Sequence, residues 1–174
     1  MKNLIIRIII SILVILVISA CSEEEESTTD PYSCKGSSSG SGPTIGDVTL
    51  KEATYKHELY SYSFSFVNST SAHIKLGEES NICYTIDATS TAASVLKTNS
   101  ANTGNATIGG VSVSSYDNVT AYYMKVKRVM DSLTWHMYIY ADTDSSFYIN
   151  QLGFDSKAKS DAYPYLRGSA YTKQ

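Results

Sequence analysis

The chain has 174 residues, 43% of them apolar, with 14 basic and 17 acidic side chains and a net charge of −3. That length suits one compact domain of roughly 100–150 residues plus appendages. The charge balance leaves nothing basic enough to hold a nucleic-acid backbone, so no nucleic-acid partner is expected. No cofactor or metal is expected either. There is no glycine-rich phosphate loop and no Gly-x-Ser-x-Gly elbow, and His57, His73 and His136 lie in separate segments without metal-ligand spacing.

Residues 1–20 stand apart from the rest. Lys2 and Arg7 precede a run from Ile8 to Ile18 that is aliphatic except for Ser11. A spanning helix needs about 20 apolar residues, so this shorter run predicts a secretory signal. Ile18-Ser19-Ala20-Cys21 then resembles the lipobox of bacterial lipoproteins. The resemblance covers the leader alone. It implies cleavage before Cys21, a diacylglyceryl group on its sulfur and an acylated amine. Several acyl chains, each contributing about 0.8 kcal/mol per buried methylene, hold such a protein on a membrane.

Residues 21–43 follow as a lipidated cysteine and a linker rich in Glu, Ser and Gly, with no apolar periodicity. Five acids lie in it, Glu23 to Glu26 and Asp30, so the remainder from Thr44 carries 12 acidic against 11 basic residues. "SEEEE" after Cys21 is similar to the acidic export tag of some Gram-negative lipoproteins. Ser22 is not the aspartate that retains many others at the inner membrane. The resemblance implies an outer-membrane, surface-exposed position, with the periplasmic face as the alternative. The two other cysteines, Cys34 and Cys83, are an even pair expected to form a disulfide in an exported chain. The free leash would then be residues 22–33, with an r.m.s. reach of roughly 20 Å.

Residues 44–174 read as one β-rich domain. In "YSYSFSF", Tyr60, Tyr62, Phe64 and Phe66 face one way and the serines the other. "STAASVLKT", residues 90–98, is compatible with a turn of helix, and residues 99–110 read as a loop. In residues 118–141 a two-residue turn at Asp131-Ser132 predicts a hairpin pairing Val126 with Met137 and Lys127 with His136. Six to eight antiparallel strands imply a β-sandwich, jelly-roll or Ig-like, with an up-and-down β-barrel as the alternative. "TWHMYIYADTDSSFYIN" resembles the Trp-to-Asn strand pair of laminin-G-like jelly rolls over its 17 residues, without the turn glycine.

The hairpin's second face gathers Tyr123, Lys125, Lys127, His136, Tyr138 and Tyr140. Aromatic and cationic side chains together make a candidate recognition surface for a glycan or a protein, unless the C-terminal "DAYPYLRGSAY" covers it. Asp142, Asp144 and Ser146 have the oxygen spacing of a calcium loop, but Phe147 stands where the turn needs Gly, so a hairpin turn is expected. The function these features imply is a lipid-anchored, non-enzymatic binding or adhesion module. An envelope assembly accessory is the alternative, and a small glycan hydrolase using a pair among Glu52, Glu58, Glu78 and Glu79 ranks below both.

Overall fold

The computed structural model describes residues 33–34, 36–98, 106–108, 111–113, 116–166 and 170–174. The leader, Cys21 and the acidic tag lie outside them. The domain opens with a small hairpin of β1 (Ser41–Ile45) and β2 (Val48–Lys51). There follow β3 (Thr54–His57), β4 (Tyr62–Asn68), β5 (Ser71–Leu76) and the long β6 (Ile82–Thr98). After a two-stranded excursion, β7 (Ala106–Ile108) with β8 (Val111–Val113), come β9 (Tyr116–Arg128), β10 (Thr134–Thr143) and β11 (Ser146–Ile149). A short helix, α1 (Lys157–Asp161), then β12 (Tyr165–Leu166) and β13 (Tyr171–Lys173) complete the order.

Eight of these strands form one closed antiparallel barrel. Going round it, β3, β4, β5, β6, β9, β10, β11 and β13 each pair with the next, and β13 pairs back to β3. Spatial order equals chain order, so this is the up-and-down barrel rather than the jelly-roll or Ig-like sandwich, and the laminin-G-like strand pair sits in a barrel wall. Closure leaves no unpaired edge among the eight. Register shifts at Phe66/Asn68, Ala88/Ala92 and Ala141/Thr143 mark the bulges that curve the wall.

Alternation sorts the residues. Tyr55, Phe64, Ile74, Tyr84, Val126, Met137 and Phe147 point inward and are at most 2% exposed. Their neighbours Lys56, Thr85 and Lys127 are exposed on the outer face. An eight-stranded barrel is just wide enough for side chains to fill. Here aromatics fill it, with Phe147 lying parallel to Tyr171 at 4.9 Å and edge-on to Phe64 at 5.5 Å. Apolar inside and polar outside is the reverse of a membrane-spanning barrel.

The β1–β2 hairpin stoppers one end. Ile45 and Leu50 enter the core at 3% and 0% exposure. Gly46, at φ +61°, lies so close to the Tyr122 ring that an added Cβ would sit 2.4 Å from it. The Tyr55 hydroxyl accepts from Lys51 N at 2.8 Å and donates to the Asp144 carbonyl at 2.7 Å. One buried side chain thus ties the stopper, β3 and the β10–β11 turn together.

Cys34 and Cys83 form the expected disulfide, their Cα atoms 5.2 Å apart. Cys83 sits on the outer face of β6, in register with His73 of β5. The crosslink fastens the end of the linker to the barrel wall.

Three local expectations are corrected. Within residues 99–110, read as a loop, Ala106–Ile108 is strand β7, paired with β8. Residues 90–98 are strand, the far part of β6, because each residue from Ala92 to Thr98 finds a partner on β9. The β9–β10 register is shifted by two residues: Met137 pairs with Met124 and His136 with Lys125. The connection is wider than two residues because Ser132 adopts φ +62° and the Asp131 carboxylate accepts from Leu133 N and from the Arg128 guanidinium. An even shift keeps both faces as expected.

Candidate functional site: the aromatic mouth of the barrel

The end opposite the stopper is open. There the last residue of β3, the first of β4 and β13 and the second of β10 place His57, Tyr62, Tyr171 and Trp135 around a cavity of about 420 Å³. Leu76 and Ile149 supply the apolar wall, and Gln151 to Gly153 form one lip. The cavity follows from the strand pattern. Phe64 and Phe66 fill the barrel deeper down, whereas the same face of β4 ends in Tyr62, whose hydroxyl belongs near water.

The rings are held in place. Trp135 lies against Tyr84 at 5.2 Å, and Tyr60 stacks on Tyr62 at 5.4 Å. His57 touches Tyr60 and Tyr171, each at 5.0 Å between centroids. Its Nδ1 accepts from the backbone N–H of Leu59 (3.1 Å) and Tyr60 (3.3 Å). Both bonds require Nδ1 unprotonated, so the neutral ring carries its proton on Nε2. Burial holds the His57 pKa below the usual imidazole value, against the opposing charge of Glu58.

Asn150 anchors the lip. Fully buried, it accepts from Tyr138 N and Gln151 N through Oδ1, both at 2.9 Å. Its Nδ2 reaches Ser160 O and Oγ at 3.1 Å and Tyr163 O at 3.2 Å. This one side chain ties the end of β11 to β10 and to α1.

The four exposed large apolar residues among those described, Leu59, Tyr60, Met130 and Leu133, occupy two loops at this same end. An apolar rim round an apolar cavity is the surface pattern of a binding site.

The face singled out from sequence lies on the outside of β9 and β10, and the structure brings its six residues together there. Tyr138 is 4% exposed beneath α1, its hydroxyl donating to Asp161 at 2.9 Å and accepting from Lys157 at 3.2 Å. Lys157 also lies 5.4 Å above the Tyr123 ring. Tyr123 and His136 are half-buried and hydrogen-bonded to each other. Tyr140 bonds Asp142, and Lys125 pairs with Asp87 at 2.9 Å. Lys127 alone of the six is exposed. The C-terminal segment therefore covers the middle of this face, and its polar groups are largely engaged with one another.

Asp144 stands in the β10–β11 hairpin turn, paired with Lys51 at 3.2 Å, while Asp142 lies near the end of β10. No group of three or more His, Cys, Asp or Glu side chains among the described residues is arranged to hold a metal ion. Glu52 accepts from Ser38 Oγ, Ser39 N and Gly40 N beside the stopper. Glu58, Glu78 and Glu79 belong to loops at the open end, so Glu52 cannot pair with them.

No protein-family model, curated protein or solved structure matches this chain.

The mouth itself was only half-visible in sequence. Tyr62 falls on the inward face of β4, and the change from Phe to Tyr along that strand was the available signal, whereas Tyr60, expected on the same face, precedes the strand and is exposed in the β3–β4 loop. What the sequence could not supply is that six strand ends, those of β3, β4, β5, β10, β11 and β13, meet at one opening.

Proposed function

We propose that the protein is a lipid-anchored outer-membrane lipoprotein, displayed on the cell surface, whose barrel binds a small ligand in its mouth. The observation that carries the binding reading is the cavity of about 420 Å³, walled by Trp135, Tyr62, Tyr171 and His57 and rimmed by exposed apolar loops. It falls within the size of ordinary small-ligand sites, roughly 300–1,000 Å³. The disulfide supports an exported location, since such bonds persist outside reducing compartments. Crosslinked at Cys34, the domain would hang from Cys21 by a short acidic leash and turn independently of the bilayer.

Two experiments test the two halves. Protease shaving of intact cells should remove the domain, and Cys21→Ala should abolish both lipid labelling and surface recovery; full protection of the wild-type protein would refute the address. For the site, Tyr62→Ala and Trp135→Ala should reduce capture of envelope-derived ligand by about tenfold or more, while Lys125→Ala and Lys127→Ala leave it unchanged. The reverse pattern would return the site to the outer face.

A further inference from the structure

The mouth has three properties that together define its ligand. No Asp, Glu, Lys or Arg lines it. Its walls are aromatic. Several of its polar groups are unoccupied: the hydroxyls of Tyr60, Tyr62 and Tyr171, the Trp135 indole N–H and the Gln151 side-chain amide make no hydrogen bond to the protein among the described residues. His57, with Nδ1 taken by two backbone donors, adds an Nε2–H.

Resting on the binding reading above, we propose that the mouth takes a neutral saccharide ring. A charged ligand would be desolvated with no counter-charge in the lining, which is strongly unfavourable. An acyl chain or sterol would fill the volume but leave those donors and acceptors buried without partners. A flat heteroaromatic ring binds best in a slot between two parallel faces. Yet Tyr60 and Tyr62, inclined by 28°, already touch at 5.4 Å and leave no slot between them. A pyranose suits what remains. Its C–H face packs on one exposed aromatic ring, and its hydroxyls, each both donor and acceptor, satisfy the tyrosines, the indole and the amide. The apolar rim of Leu59, Met130 and Leu133 would flank the sugar's continuation out of the mouth.

Trp135 is the one tryptophan of the 174-residue chain, so its fluorescence reports this site directly. The full chain, carried in phosphatidylcholine vesicles, is titrated with maltose, lactose and N,N′-diacetylchitobiose, and in parallel with glucuronate, 1-decanol and adenosine. At least one neutral saccharide should give a saturable change, with glucuronate binding at least about tenfold more weakly. Tyr62→Phe and Gln151→Ala, each keeping the wild-type far-UV spectrum, should weaken the saccharide by about fivefold or more. If decanol or adenosine titrates Trp135 and no saccharide does, the ligand class is wrong and the mouth remains a binding site. If no probe of any class does, the class and the site both fall.

Discussion

At the scale of single residues, two side chains carry more than their size suggests. Asn150 makes five hydrogen bonds from a fully buried position and joins β10, β11 and α1. Truncation leaves the Tyr138 and Gln151 N–H groups and the Ser160 and Tyr163 carbonyls short of partners. Asn150→Ala should therefore cost about 2–4 kcal/mol in denaturant unfolding, from roughly 1–3 kcal/mol per buried group left unpaired. A loss below about 1 kcal/mol would mean that water replaces the amide.

His57 gives the domain a pH dependence whose sign follows from its lowered pKa. The unfolded chain takes up the proton more readily than the fold, so this contribution is fully present above about pH 6.5 and fades as pH falls through the lower folded value. Protonated Nδ1 can no longer accept from Leu59 and Tyr60, so the rim loop should loosen in the same window. Wild-type midpoints should fall between about pH 7.5 and pH 5, and His57→Leu should flatten that slope. Asp131 acts lower down: Arg128 holds it at about 2, so its contribution is lost between about pH 4 and pH 2. The two windows separate cleanly in an unfolding series.

At the scale of elements, the disulfide is the simplest to test. It closes a separation of 49 residues. On the chain-entropy model a loop of that length contributes roughly 4 kcal/mol, and Cys34→Ser with Cys83→Ser should lower stability by about that amount. The double variant's trypsin cleavage at Lys35 should also accelerate. Unchanged stability and unchanged cleavage would show that residues 36–40 hold the wall without the crosslink.

Legibility also differs by element. Strand content, the inward set of β4 and the two faces of β9 and β10 were readable, because alternation of Tyr, Phe and Met against Ser, Lys and Thr is a local signal. The register was missed by two because Asp131 folds back on Arg128 and Leu133, a side-chain effect that residue spacing does not encode. Residues 90–98 were ambiguous because Ala92 and Ala93 suit a helix, and only pairing with β9 decides for strand. α1 was not expected from the sequence, and the signals at its start are local ones: Ser156 accepts from Lys159 N and Asp155 pairs with Lys159 four residues on. Its packing on Tyr138 was not readable, because that contact depends on how the chain returns after β11.

At the scale of the whole molecule, barrel and sandwich share one strand pattern, so the sequence left both open. What decides is the pairing of β13 with β3, between residues more than a hundred positions apart. Closure leaves one end for the β1–β2 stopper and the other for a cavity, and the site is a property of that opening. The most direct measurement is backbone amide shift mapping of the isotope-labelled full chain in lipid nanodiscs, titrated with neutral saccharides and small apolar fragments. Perturbations should cluster on His57, Tyr62, Trp135, Gln151 and Tyr171, with Lys125, His136 and Tyr140 unmoved. Shifts confined to that outer face of β9 and β10, or none at the mouth with any probe, would contradict a binding site in the mouth.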